Sequence, residues 1–201
     1  FIQLFCKNRN DDTLYQLCKD IQHQFKIQLA NELKIKYEEE FPDGTPIVCA
    51  CEKGRFEDVK LLITGHDVNG SNGNNNNNMT LKEYVNQKGK DSDDWGGTPL
   101  MAAAGYEHFQ IVKYLIEQGE ADPNIAGSYG QNALHNAAYN NEKDTKVIEL
   151  LLTHMTLNSI NKKDEDGETP LDNAYYNNKS PIQQAIIDLI RSKGGKRGEE
   201  L

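Results

Sequence analysis

A short pattern returns four times in this chain, and a sequence that repeats at a near-constant interval points to stacked units before any single globular core. The clearest copy is Gly97-Thr98-Pro99-Leu100-Met101-Ala102-Ala103-Ala104, followed by Ile111-Val112-Lys113-Tyr114-Leu115-Ile116. Thr98 is an N-cap residue type, with a hydroxyl that accepts from a free N–H of a first helical turn. Pro99 stands at the first helical position, where its missing N–H costs nothing. The small residues predict a short, closely packed helix; the second apolar run predicts another, stopped at Gly119. Further copies open at Thr45, Asn132 and Thr169, so the openings at 45, 98, 132 and 169 are spaced by 53, 34 and 37 residues. Their second apolar runs include Val59 to Ile63, Val147 to Leu152 and Ile186 to Ile190.

A period of about 33 residues with a Thr-Pro-Leu-His-x-Ala opening resembles the ankyrin-repeat family. The resemblance is clear over 41–194 and weak before that. It implies an all-α solenoid of stacked helix-turn-helix units with β-hairpin loops, and a concave face of hairpin tips and inner helices. The expected organisation is a degenerate helical cap over 1–40, repeats over 41–69, 93–124, 125–161 and 162–195, an insertion over 70–92 and a polar tail over 196–201. The resemblance also implies structural roles for His108 and His135, whose rings should bond backbone or a nearby Thr. It implies the same for Asn69, Asn124 and Asn161 at turns. The third opening departs from the pattern, with Asn132 and Ala133 for Thr-Pro. In the fourth, Asp172 stands for the His and Tyr175 for a small Ala, which predicts looser packing there.

Before the repeats, Leu4 and Phe5 mark a short helix. Leu17, Ile21, Phe25, Leu29, Leu33 and Tyr37 then step by four, with Leu14 and Cys18 on the same stripe. That spacing predicts a helix with one apolar face from Asp12 to Glu39. Glu38, Glu39 and Glu40 oppose the helix dipole at its end, so fraying is expected. The insertion contains five consecutive Asn after Gly73, which offer nothing to bury and predict disorder.

Composition excludes several functions. The 22 basic and 31 acidic side chains give a net charge of −9, which argues against a binder of the nucleic-acid backbone. No apolar run approaches the ~18 residues of a membrane span. Cys6, Cys18, Cys49 and Cys51 show no zinc spacing and read as small buried thiols, which suggests a reducing, cytoplasmic setting. No Ser, Cys or carboxylate stands in a motif-like relation to a His, so no catalytic residue is assigned. Asp164, Glu165, Asp166 and Glu168 fail the calcium-loop pattern, because Thr169 and Tyr175 fall where Gly and Glu are required. Gly194-Gly195-Lys196 lacks the spacing of a phosphate loop. No metal or cofactor is expected.

The reading that remains is a non-catalytic protein-binding module, monomeric, with no nucleic-acid or membrane partner. The alternatives are a regulatory or targeting segment of a larger multidomain enzyme, motivated by the absence of an initiator Met before Phe1, and a self-associating structural protein. Register places Asp94, Trp95, Tyr129, Glu165 and Asp166 at hairpin tips, and Tyr106, Tyr139 and Tyr176 beyond the small pair of the inner helices. An aromatic strip with acidic tips would suit a basic or mixed basic-apolar protein partner. Replacing residues 70–78 with a short Gly-Ser loop should leave the melting temperature nearly unchanged; a drop of more than a few degrees would mean that the tract packs on the body.

Overall fold

The computed structural model describes residues 12–42, 44–66, 79–89, 96–140, 143–176 and 180–201. The helix expected at Leu4 and Phe5, the Asn tract, Asn69, Asp94 and Trp95 lie outside the described residues. The elements are α1 (Asp12–Glu40), α2 (Pro46–Glu52), α3 (Phe56–Thr64), α4 (Leu81–Val85), α5 (Pro99–Gly105), α6 (Phe109–Glu117), α7 (Ala133–Asn140), α8 (Lys146–His154), α9 (Leu157–Ile160), α10 (Pro170–Tyr176) and α11 (Pro181–Ser192). Inner helices α2, α5, α7 and α10 stack in sequence, and outer helices α3, α6, α8 and α11 pack behind them. The small inner residues Ala103, Ala104, Ala137, Ala138 and Ala174 are buried, and they let neighbouring helices approach closely. The outer helices contribute larger groups such as Leu62, Leu115 and Leu151, each fully buried and worth about 1.5–3 kcal/mol relative to exposure.

The helix starts follow from local chemistry. Thr98 accepts from the Met101 N–H at 3.3 Å, with Pro99 next to it. Asn132 does the same work at the third opening: its Oδ1 accepts from the N–H groups of Leu134 at 3.1 Å and His135 at 3.2 Å. The His135 ring then bridges two units. Nε2 lies 3.2 Å from the Glu168 carbonyl and must donate to it, so Nδ1 accepts the Asn132 N–H at 3.1 Å. His108 spans an earlier interface in the same way, with Nε2 3.0 Å from the Glu52 carbonyl. Gly54 makes room for that ring: its φ is +68°, and a Cβ there would fall 2.5 Å from His108 Cε1.

Asn side chains staple the opposite edge. Asn124 Oδ1 accepts the Thr156 N–H at 2.9 Å, and Asn161 Oδ1 accepts the Lys196 N–H at 2.7 Å. Asn86 makes the equivalent bridge, accepting the Asp122 N–H at 2.7 Å and donating to the Glu120 carbonyl at 3.0 Å. It ends a Thr80-capped turn of helix, as Asn161 ends the Thr156-capped α9. Residues 80–86, within the expected insertion, thus share the cap and the Asn bridge of the turn around α9. His66 closes the base of the intervening stretch, donating from Nε2 to the Met79 carbonyl at 2.8 Å.

Four sequence expectations need correction. Of the expected stripe of α1, Tyr37 is buried and Leu29 and Leu33 are half-buried, while Leu17, Ile21 and Phe25 are 53%, 55% and 58% exposed; Ile27 and Ala30, off that stripe, are buried with Tyr37. Among the described residues, no element covers Leu17, Ile21 and Phe25. Its acidic end is held where fraying was expected, by Arg55 at 3.1 Å from Glu40, while the Tyr37 hydroxyl donates to Asp58 at 2.9 Å. Cys49 and Cys51 are buried thiols outside any disulfide, but Cys18 is half-buried and disulfide-bonded, so it is no buried thiol. The fourth opening is not loose. Asp172 Oδ2 accepts the N–H groups of Thr169 at 2.9 Å and Gly198 at 2.7 Å, and Oδ1 accepts from Arg197 Nε at 2.9 Å. Residues 196–201 thus fold back onto the last repeat, and Arg191 pairs with Glu200.

His135 gives the fold a pH dependence. Burial pulls its pKa from 6.5 down to about 4, against the opposing pull of its bond to the Glu168 carbonyl. The unfolded chain therefore binds a proton that the folded one refuses. The stability from this group is complete above pH 6.5 and is lost as pH falls through about 4. Between pH 7 and 4 the native chain should lose about 3 kcal/mol more than His135→Gln, measured by urea unfolding at each pH. Equal losses would show that the ring is not held neutral.

Candidate protein-binding groove

The stacked inner helices and hairpins enclose one long groove of about 590 Å³ that runs from α2 to α10. Its walls come from the hairpins. Gly127 donates to the Gln131 carbonyl at 2.7 Å beside an antiparallel bridge between Ala126 and Asn132, and Asp164 donates to the Glu168 carbonyl at 2.9 Å. Successive hairpins are joined through the backbone: Glu165 N–H donates to the Tyr129 carbonyl at 3.1 Å, and Ser128 N–H to the Gly96 carbonyl at 3.3 Å. The tips are therefore held in register.

Tyr106, Tyr129, Tyr139 and Tyr176 all line this groove, and each remains more than half exposed. Two of the rings are pinned by carboxylates. The Tyr106 hydroxyl donates to Glu52 at 3.2 Å, and the Tyr176 hydroxyl donates to Glu168 at 2.5 Å. Burial, then the Glu52 charge, raises the pKa of the Tyr106 phenol; the Glu168 hydrogen bond does so for Tyr176. Both phenols are thus held in the protonated, donating form. Tyr106 also lies parallel to the His108 ring, with centroids 6.3 Å apart.

Glu165 and Asp166 sit exposed on the fourth hairpin tip, outside the groove lining. Asp164 is turned inward: Oδ1 accepts the Asp166 and Glu168 N–H groups, and Oδ2 accepts from Gln131 Nε2. It therefore staples neighbouring hairpins. The structure does not describe Asp94 and Trp95.

The groove floor holds amides that the sequence reading passed over, namely Asn136, Asn173 and Gln131. Asn136 precedes Tyr139 and Asn140 by three and four residues, which puts all three on one face of α7. Asn173 occupies the same register before Tyr176. That spacing was the available signal. Gly105 opposes these amides across the stack, and a Cβ added there would lie 3.3 Å from Asn136 Cβ and 3.5 Å from Asn140 Nδ2. Among the described residues, the charged side chains lining the groove are Glu52, paired with Lys53 at 3.4 Å, and Glu168. Among the described residues, no group of three or more His, Cys, Asp or Glu side chains could hold a metal ion, and no helix is long and apolar enough to cross a membrane.

Comparison with known proteins agrees with this architecture. The family model for ankyrin repeats in three copies matches residues 71–164 and 120–195, more than half of the chain. The chain belongs to the ankyrin-repeat family. It is 29% identical over 152 residues to a putative ankyrin repeat protein of fowlpox virus, covering 73% of this chain and 39% of the viral one. It is 30% identical over 168 residues to a palmitoyltransferase of Lachancea kluyveri, covering 73% of this chain and 23% of the enzyme. It is 26% identical over 164 residues to an NAD-dependent deacetylase of Dictyostelium discoideum, covering 74% and 20%. The ankyrin chain thus spans at most about two fifths of these relatives. Ankyrin repeats generally mediate protein–protein interaction.

Proposed function

We propose that this chain is a monomeric, non-catalytic module that binds a partner protein through its concave groove. The supporting observation is the convergence on one groove of four tyrosines, each more than half exposed. Exposed aromatics are costly in a folded chain, and Tyr and Trp dominate binding hot spots because they bring large area at little entropic cost. Among the described residues the groove lining carries carboxylates and no Lys or Arg, which fits a basic or mixed basic-apolar partner with association weakened by salt. Glu165, Asp166 and, by register in the sequence, Asp94 and Trp95 would extend the surface along the tips.

A second reading has its own support. Relatives named as a palmitoyltransferase and a deacetylase match over only 23% and 20% of their lengths. This chain would then act as the docking or regulatory segment of a larger enzyme, using the same groove on a partner or substrate protein.

Partners captured from the source cell and then purified should bind the native chain more tightly than Trp95→Ala, Tyr106→Ala, Tyr129→Ala or Tyr139→Ala. At least one substitution should cost about 2 kcal/mol or more in titration calorimetry, with helicity and melting unchanged. Normal binding by all four variants would exclude the groove as the interface.

A further inference from the structure

Three features of the groove differ in kind and are arranged along its length. Its floor is a row of side-chain amides. Asn173 is 6% exposed and spends one N–H on the His135 carbonyl at 3.4 Å; among the described residues no donor reaches its Oδ1. Asn136 reaches the Met101 carbonyl only at 3.5 Å, and no described group hydrogen-bonds the Asn140 amide. Its walls are tyrosine rings. Its ends differ electrically. At the α2 end Glu52 is already offset by Lys53, and the Tyr106 phenol feels both charges. At the α10 end Glu168 makes no ion pair among the described residues, and the Tyr176 phenol feels the carboxylates of Glu168, Asp172 and Asp166 together.

A side-chain amide offers a donor and an acceptor side by side, which is the pattern that an extended main chain presents along each edge. A helix would not use such a floor, since its backbone groups are bonded internally. The three steps between the four inner helices, at about 8–10 Å each, give a groove of roughly 24–30 Å. An extended chain rising about 3.3 Å per residue would fill that with roughly seven to nine residues. At the α10 end Glu168, without an ion pair among the described residues, would select a cation on one end of the segment only.

We propose that the groove holds an extended peptide segment of the partner, its main chain bonded to Asn136, Asn140 and Asn173 and one lysine or arginine side chain seated against Glu168 beside Tyr176. This rests on the groove-binding reading above. The segment lies in one direction, because its basic residue has one place to go.

The test is a displayed library of random nine-residue peptides selected on the full 201-residue chain. The enriched peptides should share a basic residue near one end and lack proline in the middle, where an N–H is needed. The best one, fluorescently labelled, should lose fivefold or more in affinity to Glu168→Gln, which preserves shape and the Glu168 backbone contacts. Replacing the peptide's basic residue by glutamine should cause a similar loss, and the two changes together should cost little more than either. Gly105→Ala, which puts a methyl group against Asn136 and Asn140, should weaken every enriched peptide. Enrichment without a fixed basic position, a helical spacing of apolar residues, indifference to Glu168→Gln, or no enrichment at all would overturn the proposal. Peptides that ignore Glu168→Gln but are lost on Tyr106→Ala would leave the groove-binding reading intact. Peptides that ignore the tyrosine variants as well would remove both.

Discussion

Neighbouring repeats of this chain complete one another's turns. The Glu168 carbonyl takes a hydrogen bond from His135 in the unit before it, and the N–H groups of Asp122, Thr156 and Lys196 are each taken up by an Asn one unit earlier. A polar group buried without such a partner costs about 1–3 kcal/mol. The apolar stripes hold the units together, but these bonds fix how far one unit may slide or rotate against the next. They also explain why three or four units must fold together: each interface completes the hydrogen bonding of a turn that would otherwise be left open.

The groove inherits its order from this arrangement. Hairpins joined through Glu165 to Tyr129 and Ser128 to Gly96 carry the walls, and inner helices packed on alanines carry the floor. Tyr106 and Tyr176 are further restrained by hydrogen bonds to Glu52 and Glu168. Rings already fixed in position lose less conformational freedom when a partner arrives, so more of the contact energy remains as affinity.

The sequence made the repeat register visible, because Thr-Pro-Leu at fixed spacing encodes a cap and a first turn directly. From that register the positions of Tyr106, Tyr129, Tyr139 and Tyr176 on one concave face could be named. Features that depend on what lies opposite a residue were hidden. Leu17, Ile21 and Phe25 continue the pattern of Tyr37, but nothing in the pattern reveals that no described element covers them. Asp164 has the composition of a surface turn and is occupied by hairpin N–H groups. Nothing in the pattern of residues 80–86 marks Asn86 as a bridge to Glu120 and Asp122. The amide floor was overlooked because Asn136 and Asn173 are ordinary polar residues whose meaning comes from Gly105 and the neighbouring unit across the stack.

At the last unit the chemistry of the interface changes sign. Where His135 presents a donor to the unit that follows, Asp172 presents an acceptor, met by Gly198 N–H and the Arg197 guanidinium. A repeat stacked there in the family register would bring a carbonyl against a carboxylate. Head-to-tail contacts between copies of one repeat protein generate open filaments whenever the two ends are complementary. Asp172 and its strap remove that complementarity at the fourth repeat, so a second copy stacked there in the family register would meet a mismatched surface.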